Sequence, residues 1–514
     1  MRTAILPSYV RPLSPFWAVA TRLFSYSALI GFGLLIGLIY ALLPPQLVFI
    51  PASPVLILTI LCLWALPDVD RVPESLLNRA MMLFVFANIV WPSYIALSLP
   101  GLPWINPQRL GLFVLLIAGL IKLSTSSAMR RDILASVKSV PVIFWSFWIF
   151  WLTTVITLPF SAEVMVSVKK WANNQVYWTF LFLLSAYLAQ RSGFVTMLAR
   201  LVVLGAILTA LLSVFEFAQR SVFWGPWIPL WLIGDFEIFQ TVMSDQARAG
   251  VNMYRARSTF TVSITFAEFL SMALPFAIHL AVQASSFWKR AFMVAATLLI
   301  VISAVFLTNA RSGMNGCLIA AFGYALYAAF RRWREKRSDL LGASAFYMFP
   351  AAGVAFLILT FAWQRLYTLV LGSGQHSFSN DAREVQWASG IDKMLANPIG
   401  YGVGQSGPVV GFRLPDGSLT IDSYALSVLI EFGVVGLAAF TVLVLGSATL
   451  AMRMALASRD REQLLLAPIA IALLAFGVIK TVLSQMENIP LMFVMVGCIC
   501  GLAYRRTRPG APSD

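Results

Sequence analysis

The chain has 514 residues, of which 59% are hydrophobic and only 11% charged, and its mean hydropathy is +0.81. Because a soluble protein carries roughly 25% charged residues, this composition excludes a soluble globular domain. The formal net charge of +15 does not indicate a nucleic-acid partner, since the basic residues fall in short connections between apolar blocks and form no contiguous basic surface.

Apolar blocks recur along the whole chain, each close to the ~20 residues needed to cross a bilayer. They predict an all-α polytopic membrane protein with about 12–14 transmembrane helices. The blocks are residues 26–43, 46–66, 79–98, 105–121, 139–158, 176–190, 201–219, 259–281, 288–307, 312–330, 343–363, 423–450, 464–481 and 487–504. Residues 1–25 contain three arginines and three prolines without a cleavage-site pattern, so we expect a cytoplasmic N-terminal tail. The transmembrane helical domain is predicted at residues 26–504, and a second cytoplasmic tail at 505–514.

Basic residues mark alternate connections between these blocks. The run from Arg331 to Arg337 and the tail residues Arg505 and Arg506 fall on the same predicted side of the membrane. The positive-inside bias places that side in the cytoplasm. Both termini are therefore predicted to be cytoplasmic, in a multi-pass membrane protein.

Two connections on the opposite, periplasmic face are too long to be simple turns. The loop at 220–258 mixes aromatic and charged residues, and the loop at 364–422 is the largest polar segment of the chain. The larger loop is predicted to contain an amphipathic helix from about Asp381 to Ala396, and residues 161–175 are predicted to form a short interfacial helix on the same face. Long structured loops usually have a function, so we expect any chemistry on the periplasmic side.

Residues that commonly ligate metals are scarce. His279 and His376 are the only histidines, and the first is expected to be structural and the second a solvated loop residue. The four cysteines all lie in apolar blocks, so we expect buried free thiols rather than disulfides. They are Cys62, Cys317, Cys498 and Cys500. No metal site and no other cofactor is therefore predicted.

Four of the arginines on the predicted outer face are candidates for function, since the positive-inside bias tends to remove arginines there. Arg255 and Arg257 precede one span, Arg311 lies in a tight connection between two spans, and Arg383 lies in the large loop. One interpretation is that each extends to lipid headgroups or pairs with a carboxylate. The other is that they converge on an anionic group, since guanidinium forks match phosphate oxygens.

Several acidic residues allow two interpretations as well. Asp422 precedes a span at the outer face, where it either caps the following helix or orients or deprotonates a hydroxyl nucleophile. Ionisable residues within or at the edge of spans each cost ~2.5–3.5 kcal/mol or more unless they have a partner, so they indicate either a transport path or buried pairs. They are Glu216, Glu268, Glu431, Glu487 and Lys480. Glu268 follows the arginine pair and is expected to help shape the same cavity.

Four short motifs follow one another between about residues 255 and 440. They are Arg255 with Ser258-Thr259-Phe260; Thr308 with Arg311-Ser312-Gly313; Arg383 and Trp387 ahead of Asn397-Pro398 and Gly400-Tyr401-Gly402-Val403-Gly404; and Asp422-Ser423, nine residues, then Gly433 and Gly436. In this order and on one predicted face, they resemble the O-antigen ligase family of bacterial membrane proteins, which includes Wzy-type polysaccharide polymerases. The ligases of that family carry histidine where this chain has Asp422.

The resemblance implies a metal-independent glycosyltransferase whose donor is a glycan linked to a lipid pyrophosphate, typically undecaprenyl diphosphate. It implies catalytic roles for Asp422, Arg255 and Arg311. Residues expected to bind substrate are Arg257, Arg383, Trp387, Glu268 and Tyr424. The implied partners are the lipid-linked oligosaccharide, membrane lipids and a chain-length regulator or export protein, with no nucleic acid.

Aspartate in place of histidine favours a polymerase, which extends an exopolysaccharide, capsule or O-antigen chain on a lipid-linked repeat unit. The alternative in the same class is a ligase that transfers finished glycan to lipid A core or to a protein. An alternative of another class is a lipid-linked oligosaccharide transporter, which the embedded carboxylates motivate. The chain shows no repeat between its halves, although many transporter folds do.

Overall fold

The computed structural model describes residues 72–98, 104–243, 254–335, 340–363, 377–413, 417 and 419–507, together with the single residues 27 and 31. The chain divides into two compact units, Met1–Pro67 and Asp68–Asp514. Apart from residues 27 and 31, the predicted spans at 26–43 and 46–66 lie outside the described residues. All helices named below belong to the second unit.

The described part of the second unit is mainly helical and has no β-strand, only three isolated β-bridges, which confirms the predicted all-α polytopic fold. Its α-helices are α1 Glu74–Val90, α2 Pro107–Thr125, α3 Ser127–Lys138, α4 Pro141–Ile156, α5 Val164–Gln175, α6 Leu181–Leu188, α7 Phe194–Gln219, α8 Phe236–Met243, α9 Ser263–Gln283, α10 Phe287–Ile302, α11 Arg311–Glu335, α12 Leu340–Ala362, α13 Ser377–Ala396, α14 Ser406–Val410, α15 Tyr424–Leu456, α16 Leu466–Lys480 and α17 Ile489–Thr507. Two π-helical turns, Val176–Phe180 and Ser303–Leu307, adjoin α6 and α10.

Ten helical segments among the described residues are long and apolar enough to cross a membrane. They are Pro107–Thr125, Pro141–Phe160, Phe194–Gln219, Ser263–Gln283, Phe287–Leu307, Arg311–Glu335, Gly342–Ala362, Tyr424–Leu456, Gln463–Lys480 and Ile489–Thr507. Each matches a predicted block. The two remaining predicted blocks of this unit, 79–98 and 176–190, correspond to α1 and α6, which are shorter.

The bundle centre consists of α9, α16 and α17, in each of which 83% of the spanning residues are buried. Around it, α15 packs against α4 and α16, α17 packs against α6, and α11 packs against α9. By contrast, only 22% of the spanning residues are buried in α10 with its π-turn. Both α11 and α15 thus pack directly against the central helices.

Connections that were predicted to share the periplasmic face contact one another at one end of the bundle. The segment after α1 forms bridges from Ile95 to Ile233 and from Leu97 to Ile105. The α5 helix, predicted as an interfacial helix, reaches the large loop, because Ser167 Oγ donates to the carbonyl oxygen of Val403 at 2.8 Å. The grouping of these connections agrees with the predicted topology, and the orientation in the membrane stays a prediction.

Candidate active site

The two arginine motifs lie side by side, one ahead of α9 and the other at the start of α11. Arg255 Nε donates to the carbonyl oxygen of Thr308 at 3.1 Å, and Ala256 N donates to that of Leu307 at 2.9 Å. Arg311, three residues after Thr308, is the first residue of α11. The positive end of the α11 dipole therefore adds to the guanidinium charges, and such a helix start favours anionic groups.

Residues 254–258, which contain Arg255 and Arg257, are called the arginine segment below. Glu216, near the end of α7, holds this segment in place. Its Oε1 accepts from Tyr254 Oη at 2.8 Å and from Arg257 N at 3.0 Å, and its Oε2 accepts from Ser258 N at 2.6 Å. Ser258 has a left-handed backbone with φ of 53°, which an L-residue adopts only where its surroundings impose it. The carboxylate thus stabilises an unusual backbone conformation immediately after Arg257.

Arg257 is the largest fully buried side chain of the described protein, with 1% of its surface exposed. Its Nη1 donates to the carbonyl oxygens of Thr241 and Thr261, each at 3.3 Å. Its Nε and Nη2 have no hydrogen-bond partner among the described residues. Burial lowers the pKa of Arg257 from its usual value. Two guanidinium N–H groups therefore lack an acceptor within the described residues, and burial shields both from solvent.

Asp422 does not cap α15. Ser423 is the cap, since its Oγ accepts from Leu426 N at 3.2 Å. The backbone N–H of Asp422 is instead held by Gln386 Oε1 at 2.8 Å. Of the two interpretations of Asp422 that the sequence left open, helix capping is therefore wrong, and its carboxylate is not committed to α15.

The α13 helix presents Arg383 to Asp422. This helix, Ser377–Ala396, matches the amphipathic helix predicted in the large loop. Half-burial raises the pKa of the Asp422 carboxyl above its usual value, and the charge of Arg383 acts in the opposite direction. Trp387, one turn further along α13, packs on an apolar cluster that includes Leu426 and Ile430 of α15. Two of the predicted substrate residues thus lie on one helix beside Asp422.

The glycine motif explains how α13 and its loop meet α15. Gly433 interrupts α15 with φ of 71° and ψ of −173°. At this break Tyr401 N donates to the carbonyl oxygen of Ile430 at 2.9 Å, and Val434 N donates to that of Pro398 at 3.3 Å. A Cβ atom on Gly433 would lie 2.2 Å from the Pro398 oxygen, so no larger residue fits. The backbone around Gly433 and the run that begins at Asn397 therefore contact each other directly.

A buried ion pair lies beneath the start of α15. Lys480 Nζ is 3.1 Å from the Glu268 carboxylate, and Asn488 Nδ2 donates to Glu268 Oε2 at 2.8 Å. Lys480 also lies over the Tyr424 ring, 5.7 Å from its centroid. Two residues predicted to bind substrate, Glu268 and Tyr424, are thus buried beside a common lysine, and their role in substrate binding stays a prediction.

The other embedded carboxylates also have partners. Glu431 accepts from Ser406 Oγ at 2.8 Å, and Glu487 accepts a short hydrogen bond from Thr261 Oγ1. With Glu216 and Glu268 already described, these contacts favour buried pairs over a transport path.

The connection between α16 and α17 joins the two halves of the site. Glu487 in this connection bonds to Thr261, whose carbonyl oxygen accepts from Arg257. At its other end, the carbonyl oxygen of Leu483 accepts from Tyr424 N at 3.3 Å. Tyr424 lies two residues after Asp422, so a continuous series of contacts runs from the arginine segment to the start of α15.

Other expectations concern residues away from this site. His279 Nδ1 lies 2.9 Å from Tyr324 Oη and its Nε2 lies 2.8 Å from Gln283 Nε2, as a structural histidine would. Three of the cysteines, Cys317, Cys498 and Cys500, are buried free thiols as predicted, whereas Cys62 and His376 lie outside the described residues. Within the described ranges no group of three or more His, Cys, Asp or Glu is arranged to hold a metal ion.

Sequence reasoning missed Gln386 and Asn488, which position Asp422 and Glu268. Gln386 follows Arg383 by three residues on α13, and this spacing places both on one helix face, so the signal was present. Asn488 lies 220 residues from Glu268. No local pattern connects two residues so far apart, and only the packing of α9 against the connection before α17 reveals their contact.

Comparison with known families agrees with the motifs. Residues 295–441 match the family model described as O-antigen ligase, Wzy_C. The matched part includes Arg311, Arg383 and Asp422 and ends just after the glycine break, while Arg255 lies before it. No curated protein is significantly similar to the chain in sequence. The family match confirms the resemblance predicted above and supports a glycan-transfer role of the polymerase or ligase type in a multi-pass membrane protein.

Proposed function

Because residues 295–441 match the O-antigen ligase family model, we propose that this protein is a polysaccharide polymerase acting on the periplasmic side of the bacterial inner membrane. It transfers glycan from an undecaprenyl-diphosphate-linked donor to a sugar hydroxyl of a lipid-linked repeat unit. The observation that carries the proposal is the Asp422 carboxylate, which does not cap α15 and lies near Arg383 of α13.

The arginine segment and the neighbouring Arg311 are suited to binding the donor diphosphate. Arg255 and Arg311 belong to adjoining motifs at the start of α9 and α11. In the reaction the bond between the anomeric carbon and the diphosphate oxygen breaks, so negative charge grows on that oxygen. Fixed guanidinium groups and a helix N-terminus stabilise such charge without reorganisation. This stabilisation is the task that a divalent cation performs in many other transferases, and we propose that the arginines replace it.

Asp422 is proposed to take the proton of the acceptor hydroxyl as its oxygen attacks the anomeric carbon. A carboxyl whose pKa is raised by burial is a stronger base than an exposed one, and general bases work best with a pKa near the operating pH. Arg383 and Trp387 on α13 would position the acceptor sugar, through hydrogen bonds and ring packing. Proximity and orientation then supply most of the acceleration.

Asp422 in place of the histidine of the ligases is the reason for preferring polymerase. A ligase, which moves finished glycan to lipid A core or protein, is the alternative and uses the same donor chemistry. Transport is disfavoured because the embedded carboxylates are engaged in the contacts described above.

Gel analysis of the polysaccharide made by a deletion strain separates these outcomes. A polymerase predicts loss of the polymer ladder with single repeats retained, whereas accumulated full-length lipid-linked polymer would indicate a ligase. Complementation with Arg255→Ala, Arg311→Ala or Asp422→Ala should fail. Arg413→Ala, which alters an exposed arginine of the same loop bonded to Gly417, should restore the ladder. If Arg255→Ala and Arg311→Ala both leave polymer length and yield unchanged, the catalytic proposal is wrong.

A further inference from the structure

A cavity of about 350 Å³ opens between the end of α1, the start of α2, the π-turn after α5 and the connection before α17. Its volume lies within the ~300–1,000 Å³ typical of small-molecule sites. None of the residues predicted to be catalytic or to bind substrate lines it. It adjoins the arginine segment, because Thr259 and Phe260 form part of its wall.

Side-chain amides and aromatic rings dominate this cavity. Asn88, Gln108 and Asn174 contribute amides, and Trp104 and Tyr177 contribute rings. An amide offers both donors and acceptors, which matches a sugar hydroxyl that also donates and accepts. Aromatic faces pack against the C–H faces of a pyranose ring. This combination is the chemistry of a neutral carbohydrate site.

Other ligands fit the same walls poorly. A diphosphate needs several cations, but among the residues that line the cavity the only basic one is Arg109. That guanidinium already donates to the carbonyl oxygen of Trp104 at 3.3 Å and lies 5.2 Å from the centroid of the Trp104 ring. A lipid acyl chain would leave the amides of Asn88 and Gln108 without partners, which is unfavourable.

Glu487, which lines the cavity, has one carboxylate oxygen without a partner within the described protein. Glu487 Oε1 is bonded to Thr261 Oγ1, whereas Glu487 Oε2 is buried with no hydrogen-bond partner. Buried unpaired acceptors are rare in native proteins and call for an explanation. Oε2 is shielded from the cavity in this conformation, so a sugar hydroxyl would supply the missing donor only after the carboxylate rotates. The amides are prearranged as well, since Gln108 Nε2 donates to Asn88 Oδ1 at 2.6 Å.

We propose that this cavity is a glycan subsite that binds one neutral sugar ring of the lipid-linked substrate. The proposal rests on the proposed function for the nature of that substrate. A diphosphate bound near Arg255 would leave its attached sugars next to Thr259 and Phe260, at the cavity wall. The cavity then holds the glycan while the arginines hold the diphosphate.

Saturation-transfer NMR on the purified full-length protein in nanodiscs tests this directly. The probe is the lipid-free oligosaccharide repeat released by mild acid hydrolysis from the polymer of the host strain. Wild type should saturate the sugar protons. The double variant Asn88→Ala/Gln108→Ala removes both partners of one hydrogen bond and should raise the Kd about tenfold, as the loss of one or two sugar hydrogen bonds would.

Two further variants keep the test interpretable. Glu487→Gln preserves the side-chain shape and should also weaken binding, so it carries the test if the double variant unfolds. Gln219→Ala changes an exposed amide at the end of α7 outside the cavity and should bind as wild type. No saturation with wild type, or wild-type affinity in both cavity variants, would overturn the proposal.

The readout is independent of glycosyl transfer. Arg311→Ala should bind the probe normally while failing to polymerise. If wild type binds the sugar but never forms a glycosidic bond, the proposed function fails and the subsite stands. If wild type polymerises while probe binding does not depend on the amides, the subsite fails and the function stands.

Discussion

Lys480 and Glu268 form an ion pair, 3.1 Å apart, that joins α16 to α9. Only 2% of the lysine side chain and none of the glutamate side chain is exposed. At such burial, removing one partner leaves an uncompensated charge and costs about 3–5 kcal/mol, whereas replacing both can be nearly neutral. The pair therefore sets the relative position of two helices whose ends carry the site.

Lys480→Met should consequently lower the stability of the protein by about 3–5 kcal/mol, measured by thermal unfolding in detergent. The double variant Lys480→Met/Glu268→Gln should recover most of the loss, because Asn488 can still donate to the glutamine oxygen. Glu335→Ala breaks the exposed ion pair with Arg331 and should change stability by no more than ~1 kcal/mol. A Lys480→Met protein as stable as wild type would contradict this account.

Gly433→Ala should disrupt the junction between α15 and the loop at Pro398. Positive φ costs an L-residue roughly 1–2 kcal/mol, and the added Cβ would meet the Pro398 oxygen at 2.2 Å. We expect a lower melting temperature and loss of polymer in complementation. Gly477→Ala is the matched control, since it lies within helical α16 and its nearest neighbour would be 3.5 Å away. It should be neutral or up to about 1 kcal/mol stabilising, and equal effects of both substitutions would refute the argument.

Substitutions at the adjacent residues Ser423 and Asp422 should affect different properties. The first should lower stability, and the second should abolish activity. Ser423→Ala removes the N-cap bond to Leu426 and should cost about 0.5–2 kcal/mol while activity persists in the folded protein. Asp422→Ala should abolish transfer without a comparable loss of stability. Parallel melting curves and polymer gels decide the point. Should Ser423→Ala abolish transfer at unchanged stability, the assignment of roles must be reversed.

The pH dependence of transfer should report on Asp422. Burial raises its pKa and Arg383 counteracts the rise, so activity should fall as the pH decreases through a value above the ordinary carboxyl pKa of about 3.9. Removing the cation raises the pKa further, so Arg383→Ala should move this acid limb to higher pH, and Arg383→Lys should move it less. An acid limb that does not move in Arg383→Ala would exclude Asp422 as its origin.

The raised pKa of Asp422 also predicts how the stability of the Asp422→Asn variant depends on pH. A carboxyl whose folded pKa exceeds its unfolded pKa stabilises the fold only when protonated. Its contribution is complete below the unfolded pKa and is lost as the pH rises through the folded pKa. Asp422→Asn should therefore melt at a higher temperature than wild type at neutral pH, and the difference should vanish in acid.

Hydropathy predicted the helices because it depends on local composition. The block at 464–481, for example, corresponds to the observed segment Gln463–Lys480. The block at 79–98 is displaced, since α1 ends at Val90 and Trp91, which follows it, has an extended backbone. Pro92 explains the difference, because the residue before a proline avoids helical geometry. Apolarity alone could not reveal this break.

The site was predictable only in part. The motifs singled out Arg255, Arg311 and Asp422, but Asp422 and Ser423 are both good capping residues, and only backbone geometry showed which one caps α15. The cavity escaped notice because its amides are dispersed over separate elements, with Asn88 on α1 and Asn174 on α5. Each is an ordinary polar residue near a helix end, and their convergence is a property of the packed bundle.

Reconstitution tests the central claim most directly. Purified protein in liposomes would receive undecaprenyl-diphosphate-linked repeat units from the same strain in the presence of a metal chelator, and products would be separated by length. We predict that wild type and Arg413→Ala form lipid-linked oligomers and release undecaprenyl diphosphate, whereas Asp422→Ala forms none. Absence of new glycosidic bonds with wild type, or polymerisation by Asp422→Ala at the wild-type rate, would contradict the account.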